Sequence, residues 1–223
     1  MNQVMPKADP LTYLYELTAE LAVQWPKNRT VNILCHGHSV PAGYFATPYV
    51  NPFGAYPHLL HRIIKERFPF AVVNVIVTAI GGENAVSGAA RFESDVLSHR
   101  PDVVVIDYAL NDLAQPIEVM RAAWAGMIEA ALAQGAKVIA CTPTWDNTYY
   151  TKGDAWERRT ESARQIRCLA DERGIGLCDS FAVFERYVQR DEQLTELLSH
   201  VNHPTELGHT LVARELGSFF PAL

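Results

Sequence analysis

The chain lacks the run of about 20 apolar residues that a bilayer span requires, so nothing in it reads as a membrane segment. Its opening residues, MNQVMPKADPLTYLYELTAEL, lack the basic start, continuous apolar stretch and small-residue cleavage site of a secretory leader. Cys35, Cys141, Cys168 and Cys178 show no CxxC spacing, and Cys35 and Cys141 stand in apolar strand-like runs where a small buried thiol is common. Together these absences point to reduced cysteines in a cytoplasmic protein. Lys and Arg are spread along the chain rather than gathered into a stripe, and the net charge is -6, which argues against a nucleic-acid partner. Neither Gly-x-Gly-x-x-Gly nor Gly-x-x-x-x-Gly-Lys-[Ser/Thr] follows a strand, so nucleotide binding has no support. Repeats, low-complexity tracts and long linkers are also missing.

What remains is a chain of 223 residues, 48% hydrophobic, enough for one sizeable core. Strand-length apolar runs alternate with segments of helical period, the pattern of a parallel sheet covered on both faces by helices. The strand candidates are Val31 to Cys35, Ala71 to Val77, Asp102 to Tyr108, Lys137 to Cys141 and Ile175 to Cys178. Helices are expected at Leu11 to Val23, Tyr56 to Arg67, Ala85 to Ser98, Pro116 to Gln134, Ala155 to Arg173 and Pro204 to Phe219, with Gly135 and Gly174 as left-handed caps. The expectation is a single α/β domain over 1–223, with 1–30 as a helical extension packed on it.

In such sheets the ligand site lies beyond the carboxyl ends of the strands, so the residues that follow them matter most. Gly37-His-Ser39-Val-Pro-Ala-Gly43 places a serine just past the first strand, among glycines that allow a tight turn. Such a serine is a nucleophile if a histidine reaches its hydroxyl, and otherwise a helix cap. After the second and third strands, Gly82 can offer a backbone N–H and Asn111 a side-chain amide to a developing oxyanion. Each alone is also an ordinary turn residue. Near the C-terminus, His203-Pro204 puts a histidine at the entry of a helix, where it projects over the sheet.

The order Gly-x-Ser, Gly, Asn-Asp and His-Pro resembles the four blocks of the SGNH (GDSL-like) hydrolases, a superfamily of esterases, lipases and acylhydrolases. The pattern runs from about Val31 to Leu216. The resemblance implies a three-layer α/β/α flavodoxin-like fold with a five-stranded parallel sheet. It also implies that Ser39 is the nucleophile and, through its backbone N–H, an oxyanion donor with Gly82 and Asn111. His203 is then the base, and Asp112 has a structural hydrogen-bonding role. No cofactor or metal is implied, and the partner is a small ester, not a nucleic acid or a membrane.

Three departures stand out: His38 replaces the usual Asp of Gly-Asp-Ser, Ala109 replaces a glycine, and His200 stands where the family places the acid of Asp-x-x-His. The group that orients His203 is therefore open between His200, a backbone carbonyl, Asp191 and Glu196. The histidines His36, His38, His58, His200, His203 and His209 also invite a metal-hydrolase reading, although that fold is a barrel of eight units and only five strands are found. A third reading is an SGNH fold that has lost catalysis and serves binding. Tyr44 to Phe53, a Pro-containing loop after the nucleophile, is placed to cover the site and narrow the acyl side. This suggests a small acyl group, acetyl, on a sugar or similar polar alcohol. The aromatics Trp145, Tyr149, Tyr150 and Trp156 anchor a loop or form a wall of the pocket.

Overall fold

The computed structural model describes residues 8–190 and 193–222. Five strands form one sheet: β1 (Thr30–Gly37), β2 (Val72–Val77), β3 (Val103–Asp107), β4 (Lys137–Cys141) and β5 (Gly176–Cys178). All neighbours pair in parallel, in the order β2-β1-β3-β4-β5. The three-layer α/β architecture expected from the alternation of apolar runs is the one observed. β3 is buried at every position, as an apolar run covered on both faces must be.

Successive residues of a strand face opposite layers, and here they divide the core in two. Ile33 and Val105 face a layer built from α1 (Tyr15–Leu21), α3 (Tyr56–Arg67), α8 (Ser180–Val188) and α10 (Glu206–Gly217), where Tyr56, Leu60, Phe184 and Leu216 are buried. Leu34, Val104 and Ile106 face α4 (Ala85–Ala90), α6 (Ile117–Ala133) and α7 (Asp154–Arg173), around Trp124, Ile128 and Ile166. The short α2 (Ser39–Ala42), α5 (Phe92–Asp95) and α9 (Leu194–Leu197) complete the set of α-helices among the described residues.

Gly135 and Gly174 adopt left-handed φ of 82° and 60° beyond α6 and α7. The helix expected over Ala85 to Ser98 is instead broken into α4, α5 and a 3-10 turn. Arg91 leaves the helical region, with φ -111° and ψ 7°, and its guanidinium binds Glu83 and Asp95. Helix α8 was not expected. Asp179 caps it by accepting from Ala182 N at 3.2 Å, and Phe181, Val183 and Phe184 are buried. The last helix begins after Thr205, whose hydroxyl accepts from Gly208 N, rather than at Pro204. Among the described residues no helix is long and apolar enough to cross a membrane.

Candidate active site

Three adjacent strands deliver the residues singled out in the sequence. β1 lies between β2 and β3, so the segments that follow these strands meet at one edge. Ile80 N donates to Gly37 O at 3.0 Å and His38 N to Asp107 O at 3.2 Å, which continues the pairing past the strand ends on both sides of Ser39. A β-carbon on Gly37 would stand 2.4 Å from Asp107 O and 2.7 Å from Pro41 Cγ, so only glycine lets the Ser39 turn approach β3 this closely.

Ser39 opens α2 and is 6% exposed. His38, where the resemblance leads one to expect aspartate, does the capping: its Nδ1 accepts from Val40 N at 3.1 Å. That acceptor role puts the ring proton on Nε2, which lies 3.5 Å from Asp107 Oδ1 without hydrogen-bond geometry. His38 and His36 do not share a ligand. His36 binds Thr78 Oγ1, Gly88 O and Tyr108 OH, and burial pulls its pKa down to about 4.

His203 reaches Ser39 from the turn ahead of α10. Its Nε2 lies 3.0 Å from Ser39 Oγ and its Nδ1 2.7 Å from the carbonyl oxygen of Phe45. A carbonyl only accepts, so Nδ1 carries the proton and Nε2 presents its lone pair to the serine hydroxyl. This is the tautomer a general base needs. Burial holds the His203 pKa below the ordinary value; the Phe45 bond opposes this, and the fields of His38 and His200 add to the lowering.

The structure does not bring His200 to the imidazole nitrogen: His200 is exposed, and Nδ1 is already occupied by the Phe45 carbonyl. The Glu196 carboxylate accepts from Tyr187 OH at 2.8 Å, and Asp191 lies outside the described residues. Phe45 is fixed from several directions. Its N–H donates to Tyr49 O at 3.0 Å, Tyr44 bridges Val50, and its buried ring packs 5.2 Å from that of His209. His209 is itself fully buried, accepts from Tyr56 N, and has its pKa pulled down to about 3 by desolvation.

Gly82 stands at φ 83°, a conformation a β-carbon disfavours. Asn111 Nδ2 donates to Glu83 O at 2.9 Å, which uses one of its two N–H groups, orients the amide and leaves the other free for a ligand. The same loop is held through the Glu83 side chain by Arg91 (3.0 Å) and Tyr108 (3.2 Å). Asp112 is buried and accepts from Ala85 N at 2.7 Å and Trp124 Nε1 at 2.9 Å, tying the Asn111 turn to the start of α4. Arg159, ion-paired with Asp146, donates to Leu110 O at 3.0 Å and braces the other side of that turn. None of Phe45, Glu83, Arg91, Tyr108 or Arg159 stood out in the sequence. A backbone carbonyl was among the groups left open to orient His203, but nothing in the sequence pointed to the one at position 45.

A surface cavity of about 510 Å³ is lined by Asp112, Leu113, Gln115, Arg158 and Glu161, not by Ser39 or His203. Among the described residues no three His, Cys, Asp or Glu are gathered as a metal site.

The family model for the GDSL-like lipase/acylhydrolase family matches residues 35–211. No curated protein matches the chain. Solved structures with the same fold include an α/β hydrolase enzyme from the metagenome of Lake Arreo, Spain, at 20% identity and TM-score 0.72, covering 85% of this chain and 94% of that one. An acetylxylan esterase from Geobacillus stearothermophilus matches at 20% identity and TM-score 0.71, covering 83% and 91%. A putative lipolytic protein of the G-D-S-L family from Desulfitobacterium hafniense DCB-2 matches at 20% and 0.69, covering 85% and 99%.

Proposed function

The chain belongs to the GDSL-like lipase/acylhydrolase family and is a carboxylic ester hydrolase, and we propose that it removes short acyl groups, acetyl above all, from a sugar or similar polar alcohol through an acyl-enzyme on Ser39. The observation that carries this reading is the chain of contacts Ser39 Oγ to His203 Nε2 and His203 Nδ1 to Phe45 O. His203 takes the hydroxyl proton as Oγ attacks the acyl carbon. The tetrahedral oxyanion is met by the N–H groups of Ser39 and Gly82 and the free N–H of Asn111. His203 then returns its proton to the departing alcohol oxygen, and a water deprotonated by the same imidazole releases the acid.

The small acyl group is supported by Tyr44. Its ring lies 5.9 Å from that of His203, and a β-carbon on Gly81 would be 3.0 Å from it, so the phenol fills space beside the nucleophile. The acetylxylan esterase of like fold is in keeping with this reading. Fluorophosphonate labelling followed by peptide mass spectrometry is expected to mark Ser39. A p-nitrophenyl ester series is expected to fall steeply in kcat/KM from acetate to octanoate. Label on another residue would remove Ser39 from the mechanism, and a rate rising with chain length would remove the short-acyl assignment.

A further inference from the structure

The aromatics that follow β4 form a cradle around a cation. Trp145 is buried and stacks on Tyr149 at 4.7 Å, while Trp156 meets Trp145 edge-on at 4.9 Å. Lys152 Nζ stands 3.6 Å from the Tyr149 centroid, 3.9 Å from that of Trp156 and 5.5 Å from that of Trp145. The backbone of Lys152 is held at φ 52°, a conformation rare outside glycine that persists only where its surroundings impose it.

A surface lysine is normally a strongly hydrated charge on a flexible stem. Lys152 is exposed, yet its ammonium is held against ring faces, and no protein hydrogen-bond acceptor for it is found among the described residues. No carboxylate among the described residues comes within ion-pair distance, and Glu185 is the acidic group whose field bears on it. Desolvation by the rings lowers the Lys152 pKa, and the field of Glu185 opposes this only in part.

The position relates this cation to the catalytic edge. Its loop leaves the carboxyl end of β4, two places from β1 in the sheet and so about 10 Å along the edge from it. Asn147 N donates to Val201 O at 2.9 Å, joining the loop to the turn that carries His203.

We propose that Lys152, held by Trp145, Tyr149 and Trp156, recognises an anionic group on the alcohol portion of the ester, so that the preferred substrates are acylated sugar acids or comparable carboxylate-bearing alcohols. An ammonium already positioned by the rings loses little freedom when a carboxylate pairs with it. The inference rests on the esterase reading above.

The test pairs an O-acetylated methyl glucuronoside with the matching methyl glucoside, assayed with wild type, Lys152→Gln and Lys152→Arg. Wild type is expected to favour the glucuronoside at least tenfold in kcat/KM, mainly through KM, with the preference shrinking as salt rises. Lys152→Gln should bring the ratio of the two esters close to one, and Lys152→Arg should keep part of it. As a second readout, unacetylated methyl glucuronoside should change the tryptophan fluorescence of wild type but not of Lys152→Gln, with methyl glucoside silent in both. Equal treatment of the two esters by wild type, or a preference that survives Lys152→Gln, would overturn the proposal. If p-nitrophenyl acetate is hydrolysed without such discrimination, the anion site alone fails. If no ester is hydrolysed, the esterase reading fails and the fluorescence titration still decides whether the anion binds.

Discussion

The Phe45 carbonyl can be weakened without altering any side chain. Replacing Ala46 by lactic acid converts the Phe45–Ala46 peptide into an ester, whose carbonyl is the poorer acceptor because ester oxygen donates less charge than amide nitrogen. Ala46 is exposed and its N–H has no partner among the described backbone bonds, so the lost donor disturbs nothing else. In the ground state the 2.7 Å bond joins two neutral groups, but once His203 takes the serine proton it becomes a bond from an imidazolium. Hydrogen bonds to charged groups contribute about 1.5–3 kcal/mol. Loss of half of that in the transition state corresponds to about 4–13-fold in kcat. The Phe45 bond also opposes the lowering of the His203 pKa, so weakening it should move the acidic limb of the pH–rate profile to still lower pH. The assay is kcat/KM for p-nitrophenyl acetate from about pH 4 to 8 on the semisynthetic and parent proteins. A fall in rate with the limb unmoved would indicate general damage. An unchanged profile would show that another group orients the base.

Asn111→Ala should lower kcat by about 10²–10³ with a similar KM, as expected for loss of one oxyanion donor; thermal unfolding measured alongside would expose a structural role instead, seen as a large loss of stability with the rate per folded molecule retained. His200→Asp replaces an imidazole whose field lowers the His203 pKa with a negative charge, so the acidic limb should move to higher pH while the plateau rate does not rise; a raised plateau would mean that a carboxylate at position 200 does reach Nδ1. The buried His36 and His209, held near pKa 4 and 3, favour the fold only while neutral in both states. The unfolded chain binds protons at these sites as pH falls below about 6.5, and the folded chain does so only near 4 and below. The thermal midpoint is therefore expected to drop across that interval, and His36→Gln, if it folds, should flatten part of the drop.

The sheet was readable because parallel strands buried on both faces must be nearly continuous apolar runs, and Asp102 to Tyr108 around β3 shows this most clearly. The site was readable as a set of strand-end residues, because topology alone brings the ends of β2, β1 and β3 together. Side chains that act across long sequence separations were not readable. Glu83, Arg91 and Tyr108 converge through 25 residues of chain that includes a broken helix. Arg91 itself interrupts the expected helix, with φ -111° and ψ 7°, where its guanidinium binds Glu83.

The sequence left a backbone carbonyl open as the group that orients the base, beside His200, Asp191 and Glu196, but which carbonyl was beyond reach for a different reason. Every residue has a carbonyl, so no composition or spacing distinguishes the one at position 45. Its use nevertheless has chemical consequences that the missing aspartate makes visible. A carboxylate would stabilise the imidazolium by full charge and raise its pKa, whereas a carbonyl offers only a dipole. The carbonyl secures the tautomer as firmly, since it accepts and never donates, but it leaves burial as the largest influence on His203. The base then stays neutral to lower pH than an aspartate-paired histidine would, at the cost of less help for the positive charge that develops on it. If Ser39, Gly82 and Asn111 are the oxyanion donors, as proposed, they must carry a correspondingly larger share of the transition state. Such a demand is met by rigid donors, and Asn111, Glu83, Arg91, Tyr108, Asp112 and Arg159 all brace the two turns on either side of Ser39.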